Sequence, residues 1–274
     1  MLDIITDSTV GLARNEAHEL HTHVCPTSYV NSQGEWVSER YVGENGNYAP
    51  DYSLRGRVTT EAVRVSAFIK AYETSFGKGR QCIALPMSSR LSGTYRSAVE
   101  AVPLCSRPDD VRVVDTGVTA GALEFAVRHA RKLANEGKTI DEVADGIREW
   151  AKSTHVVFAV VDLDVLSASG RLGATRQSMN TAMNRYPVLG LRDGAIVQMG
   201  VGRGVRGTAK KLVSEVPEGA PDLVISCYGV RGDLARELLL AAHERFPESL
   251  VRVKDGGPVL TANLGVGAAS IAWE

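Results

Sequence analysis

The sequence predicts an α/β fold: an N-terminal, mostly parallel, doubly wound sheet followed by a C-terminal α+β domain with mixed or antiparallel pairing. Three observations carry the prediction. Short apolar runs alternate with helical periodicity through the first half of the 274 residues, the pattern of a parallel sheet covered by helices. Several of those runs end in small polar residues (Asp7-Ser8-Thr9, Ser88 to Thr94, Asp115-Thr116), and in such sheets ligands bind beyond the carboxyl ends of the strands. Later in the chain, Asp193-Gly194 separates two apolar runs, a strong hairpin signal that brings in antiparallel pairing.

Residues 2–5 read as a first strand and 24–30 as a second, with Asn31-Ser32-Gln33-Gly34 as a turn. Residues 40–57, with Gly43, Gly46, Pro50 and Gly56, read as an irregular loop. A helix is expected from Thr60 to residue 76, burying Ala62, Val65, Ile69 and Tyr72 and stopped by Gly77. Residues 82–85 form a strand that leads through a polar loop into a helix carrying Ala98, Val99, Ala101 and Val102. After a strand at 111–114 comes a helix on Leu123, Val127, Ala130 and Leu133, which Gly137 ends. Thr139-Ile140-Asp141-Glu142 has capping-box spacing and opens a third helix, to about residue 153.

The second half begins with a strand at 156–161, and 163–166 leads into Ser169-Gly170-Arg171-Leu172. A helix carrying Met179 and Met183 precedes the hairpin around Asp193-Gly194. A helix near 207–216, a strand at 223–227, a helix at 233–246, a strand at 250–253 and a last strand at 259–261 complete the reading. The domains are set at 1–154 and 155–274.

Composition narrows the function classes. Hydrophobic residues at 44% and charged residues at 23% describe an ordinary globular chain, and a net charge of -1 gives no reason to expect nucleic acid as a partner. No run approaches the ~20 apolar residues of a membrane span, so no stable membrane insertion is expected. Residues 1–7 lack the basic start and apolar core of a signal peptide. Cys25, Cys82, Cys105 and Cys227 are scattered without a Cys-x-x-Cys pair, as in a protein of the reducing cytoplasm. A cytoplasmic location is expected, with no metal and no cofactor.

The stretch Ser88-Ser89-Arg90-Leu91-Ser92-Gly93-Thr94-Tyr95 is the most informative. It lies between a strand and a helix, where unpaired N–H groups and the positive end of the helix dipole favour an anion. Three serines, a threonine and a glycine there supply short neutral donors and a close backbone approach. Such a site suits a carboxylate or phosphate that is held and later released. A single serine in that place also serves as a helix cap, and Asp7 or Asp115 after a strand also braces a turn.

These blocks, taken in order, resemble the DegV family along essentially the whole chain. The resemblance rests on Thr6-Asp7-Ser8-Thr9, Pro26, Thr59-Thr60, the Ser88-to-Ala98 block and Val114-Asp115-Thr116. Gly170-Arg171-Leu172, Pro187-Val188-Leu189 with Asp193-Gly194, and Gly257-Pro258-Val259-Leu260 continue it. It implies a fatty-acid-binding protein of the fatty acid kinase lipid-binding subunit type. A long-chain fatty acid would lie between two α/β domains, its carboxyl group presented to a separate, dihydroxyacetone-kinase-like fatty acid kinase subunit. By the same resemblance Thr60 and Ser92 hold the carboxylate, and Thr59, Ser88, Ser89, Gly93 and Thr94 support them. Arg171 and Arg203 match basic positions that form a rim for an acyl phosphate or a partner. Two departures stand out: Glu61-Ala62 replaces Ser-Gln-Pro, and Asn263-Leu264-Gly265-Val266-Gly267 replaces His-x-Gly-Pro-Gly. Asn263 donates a neutral hydrogen bond but cannot become a cation, so dependence on histidine protonation should be missing. Burial of about ten methylenes contributes on the order of 8 kcal/mol before association costs. Met179, Met183, Leu189 and Met199 are candidates for the adaptable wall that a tail needs.

The chain itself is read as a carrier with no catalytic residue. The alternative is a serine-dependent hydrolase or phosphotransferase acting on a small anionic substrate, but no Gly-x-Ser-x-Gly elbow supplies it. Gly202-Arg203-Gly204-Val205-Arg206-Gly207 matches a dinucleotide fingerprint, yet it lies outside the parallel half and lacks the acidic residue that should follow. His18, His21 and His23 suggest a metal, but His18 and His21 fall at the frayed end of an ordinary amphipathic helix.

Overall fold

The run Leu2–Asp7 is buried along its whole length, as a strand with neighbours on both sides must be. It opens a computed structural model that describes residues 2–48, 59–152, 155–172 and 184–274. The chain runs β1 (Leu2–Asp7), α1 (Arg14–Glu19), β2 (Thr22–Cys25), β3 (Thr27–Val30), β4 (Trp36–Glu39), β5 (Thr60–Glu61) and α2 (Val65–Phe76). Then come β6 (Gln81–Ala84), α3 (Thr94–Ala101), β7 (Val111–Val113), α4 (Ala120–Asn135) and α5 (Ile140–Trp150). The later part holds β8 (His155–Ala159), α6 (Leu163–Ala168), β9 (Arg185–Arg192), β10 (Ala195–Arg203) and α7 (Gly204–Ser214). It ends with β11 (Asp222–Cys227), α8 (Asp233–Arg245), β12 (Leu250–Asp255), α9 (Pro258–Leu264) and β13 (Ala269–Trp273).

The expected α/β class is what the chain adopts. One sheet has the order β2-β1-β6-β7 and is parallel throughout. A second, mixed sheet has the order β10-β9-β8-β13-β11-β12, with only the β11–β12 pair parallel. The predicted hairpin joins β9 to β10, with Asp193 and Gly194 both at positive φ (50° and 76°), as a type I′ turn requires. Helix α4 lies between the two sheets: Ala122, Leu123 and Ala126 share a core with Ile4 and Ile83 on one side and Val224 and Ala272 on the other. A Cβ on Gly121 would stand 2.7 Å from Val224 Cγ1, so glycine is what lets the helix sit this close to the second sheet.

Three local expectations need correction. The second strand is two strands, because Pro26 brings no N–H to a ladder; β2 stays in the parallel sheet while β3 joins a small antiparallel sheet, β4-β3-β5. Thr60 does not start a helix. It pairs with Tyr29, as Glu61 does with Ser28, and helix α2 begins only at Val65. Tyr72 is buried as expected, but the rest of the buried face of α2 is Phe68, Ala71, Ser75 and Phe76, while Ala62, Val65 and Ile69 are half-buried. The segment at 259–261 is helical: Pro258 occupies the first turn of α9, where its missing N–H costs nothing, and the last strand is β13. Strand β4 was not anticipated. Its hairpin to β3 turns on Asn31, whose Oδ1 accepts from Gln33 N (3.0 Å) and Glu35 N (2.9 Å).

Candidate functional site

The carboxyl ends of β1, β6 and β7 are tied together by side chains that cap main-chain donors. Asp7 Oδ2 accepts from Met87 N at 2.7 Å, and Asp7 Oδ1 accepts from Thr9 N and Thr9 Oγ1 at 3.0 and 2.6 Å. Burial raises the Asp7 carboxyl above its ordinary value, against those three donors. Asp115 Oδ1 accepts from Ser89 N (3.2 Å) and Gly117 N (3.1 Å). Thr116 Oγ1 donates to Pro86 O at 2.9 Å. Both aspartates brace the loops of the site.

Within the hydroxyl-rich loop the side chains divide into two directions. Ser88 is fully buried; its hydroxyl donates to Gly194 O at 2.7 Å and accepts from Arg90 N at 3.2 Å. The first serine thus pins the tip of the β9–β10 hairpin, and a Cβ on Gly194 would come within 2.5 Å of that oxygen. Thr94 is also fully buried, its hydroxyl accepting from Val63 N at 3.3 Å and paired with Ser92 Oγ at 2.9 Å. Ser92 Oγ further accepts from Thr94 N at 3.2 Å. In the orientation in which Thr94 donates to it, the proton of Ser92 is left for whatever lies beyond.

What lies beyond is a cavity of about 380 Å³. Its wall draws on residues from both sides of position 155, and it is mainly apolar: Leu91, Val156, Phe158, Leu166, Leu191, Ile196, Leu260 and Leu264. Thr60, Ser89, Ser92 and Asn263 line it, with the backbone of Gly93 between the serines and α3. Thr60 is brought there by its pairing with Tyr29, and among the described residues its hydroxyl has no hydrogen-bond partner. Asn263 Nδ2 donates to Val259 O at 2.7 Å, which leaves its second N–H and its Oδ1 for the cavity. Arg171 also lines it, held by donation from Nη1 to Ser169 O (2.6 Å) and from Nε to Leu91 O (3.4 Å). No acidic side chain among the described residues pairs with Arg171, and burial lowers its affinity for the proton.

The remaining sequence candidates lie elsewhere. Thr59 is exposed and outside the lining, its carbonyl accepting from Val30 N at 2.9 Å. Ser88 and Thr94 stand behind the wall, as described. Arg203 is exposed at the end of β10, an edge strand, and Gly202 beside it is packed beneath Thr208. Leu189 belongs to the apolar cluster around Phe158 and Ile196, whereas Met199 packs with the core on the other face of the sheet. Met179 and Met183 fall outside the described residues. Thr27, Thr119, Tyr228 and Ser270 line the cavity without having been anticipated. Thr119 had a readable signal, since it opens a helix just past the end of β7; the other three had none.

Among the described residues no helix is long and apolar enough to cross a membrane. A family model described as "Uncharacterised protein, DegV family" matches residues 1–274. A DegV domain-containing protein of Halalkalibacterium halodurans is 28% identical over 281 aligned positions, covering 98% of this chain and 97% of the relative. One from Streptomyces coelicolor is 29% identical, with 98% and 96% covered. Among solved structures, the fold resembles a fatty-acid-binding DegV family protein from Thermus thermophilus, with TM-score 0.86, 23% identity and 100% and 99% of the two chains covered. DegV of Bacillus subtilis, described as a fatty acid binding protein, superposes with TM-score 0.84 at 22% identity, over 99% and 98% of the chains. With a match from the first residue to the last, this chain belongs to the DegV family.

Proposed function

We propose that this protein binds one long-chain fatty acid in the cavity, the carboxylate held by the hydroxyls of Thr60 and Ser92 and by the Asn263 amide. One observation carries the reading: these three neutral groups line a single cavity whose other walls are mostly apolar. Ser89 and the Gly93 backbone lie in the same wall and support the head group. Removing a carboxylate from water is costly unless donors replace its hydration, and hydroxyl and amide donors do so without an ion pair. The apolar wall supplies the affinity, since each buried methylene is worth about 0.8 kcal/mol. Structural neighbours described as binding fatty acids support the reading, including a stearic acid-binding protein from Eubacterium ventriosum.

The bound acid is presented, on this reading, to a separate kinase subunit that makes the acyl phosphate, with Arg171 in the cavity wall as the positive group. The protein is a carrier rather than a catalyst on this reading, and among the described residues no histidine lines the cavity to serve a serine as base. Its four cysteines are free and buried, in keeping with a cytoplasmic setting. Native mass spectrometry of protein made in bacteria tests the core of the proposal. The expected result is one fatty acid per chain, released on denaturation; bare protein under conditions that preserve lipid complexes overturns it. Acyl phosphate formed only when this protein, a kinase subunit and ATP are combined tests the partner.

A further inference from the structure

Deep in the cavity wall are two hydroxyls that no fatty-acid head group accounts for. Tyr228 and Ser270 both line the cavity and are each 1% exposed, with Oη and Oγ 3.0 Å apart. Ser226 is buried beside them, directly across from Ser270 in the β11–β13 ladder. The phenol ring cannot swing away, because it lies against Gly256, where a Cβ would stand 2.2 Å from two ring carbons. Burial pushes the phenol up to about 12, so it remains a neutral O–H near neutral pH.

Tyr228 and Ser270 carry two hydroxyl protons but share one hydrogen bond, and among the described residues no main-chain carbonyl accepts from either. One proton is therefore uncommitted, and free lone pairs remain on the oxygens. When Tyr228 donates to Ser270, the spare proton is on Ser270; when Ser270 donates to Tyr228, it is on the phenol. Either way the spare donor sits on a residue that faces the cavity. A plain hydrocarbon chain lying over this corner leaves those groups unanswered. An alcohol, which gives one hydrogen bond and accepts another, answers both.

We infer that the cavity selects an oxygenated acyl chain, a hydroxy fatty acid whose chain hydroxyl meets Tyr228 and Ser270. This rests on the fatty-acid reading above and adds the chemistry of the tail. Isothermal titration of delipidated full-length protein with stearic acid and with a positional series of hydroxystearic acids tests it. One positional isomer is expected to bind about tenfold more tightly than stearate. In Tyr228→Phe, and separately in Ser270→Ala, the ratio of the two affinities should fall toward one, and a general loss of packing cancels in that ratio. The two substitutions are independent, so a variant that does not fold leaves the other to decide. Stearate binding with no hydroxylated isomer tighter, or a preference that survives both substitutions, overturns the tail assignment alone. Failure of stearate and every hydroxystearate to bind overturns the fatty-acid reading with it.

Discussion

At the scale of single residues, Ser92 and Thr60 reach the same cavity by different means. Ser92 is held by Thr94, whereas Thr60 arrives on a two-residue strand and, among the described residues, its hydroxyl has no hydrogen-bond partner. Ser92→Ala and Thr60→Val are each expected to weaken fatty-acid binding by roughly five- to tenfold, the value of one hydrogen bond. Valine keeps the branched shape that suits β5, so the melting temperature of Thr60→Val should match the parent; calorimetric titration beside a thermal melt checks both. Ser92 stood out in the sequence because hydroxyls crowd the end of a strand, whereas Thr60 was legible through the family resemblance and was expected at a helix start rather than in a strand. Ser88 stood out equally, yet its partner Gly194 lies 106 positions away. Which serine faces a ligand and which pins a hairpin is decided by that long-range contact, which no local pattern encodes.

At the scale of elements, α9 shows why a short apolar run is ambiguous. Val259, Leu260 and Thr261 suit a strand as well as a helix, and Pro258 with Glu39 decides the matter. Glu39 reaches from β4 to accept from Val259 N at 2.9 Å in the first turn of α9. The glutamate is buried, and burial, with Asp255 and Asp7 nearby, pushes its carboxyl from 4.5 up to about 8. The folded protein therefore holds a proton that the unfolded chain has already released. The stability from that proton is complete below pH about 4.5 and is lost as the pH climbs to about 8. Asp7, also raised, acts in the same direction. Glu39→Gln keeps an oxygen for Val259 and carries no charge, so thermal melts across that range should show a flatter decline. Above pH about 8 the variant should melt a few degrees higher than the parent. A decline as steep as the parent's would remove Glu39 from the explanation.

At the scale of the whole molecule, α4 also carries a charge that crosses between layers. Glu124 is completely buried and pairs with Lys254 at 2.9 Å, with Arg128 at 2.7 Å and with Arg252 at 3.5 Å. Lys254 continues to Glu16 (2.9 Å) and Arg252 to Asp222 (2.7 Å), so three acids balance three bases across α1, α4, β11 and β12. Glu124→Ala removes the buried acid that the partly exposed Arg128, Arg252 and Lys254 share and should cost about 2–3 kcal/mol in denaturant unfolding, beyond the loss of an exposed pair. The sheet types and the hairpin were legible because periodicity and Asp-Gly chemistry are local. The lining was legible only in part, since Val156, Phe158 and Ser270 face the cavity through strand order, which depends on the whole chain.

The close seating of Gly121 on Val224 has a bearing on how anything leaves the interior. Swinging the two halves apart like a clamshell would strip that contact and the charge lattice around Glu124 together. Freeing the turn at 193–194 breaks, among the described residues, the one side-chain hydrogen bond that Ser88 makes to Gly194. For the proposed fatty acid, exchange at the hairpin therefore breaks fewer of these contacts than a separation of the two halves.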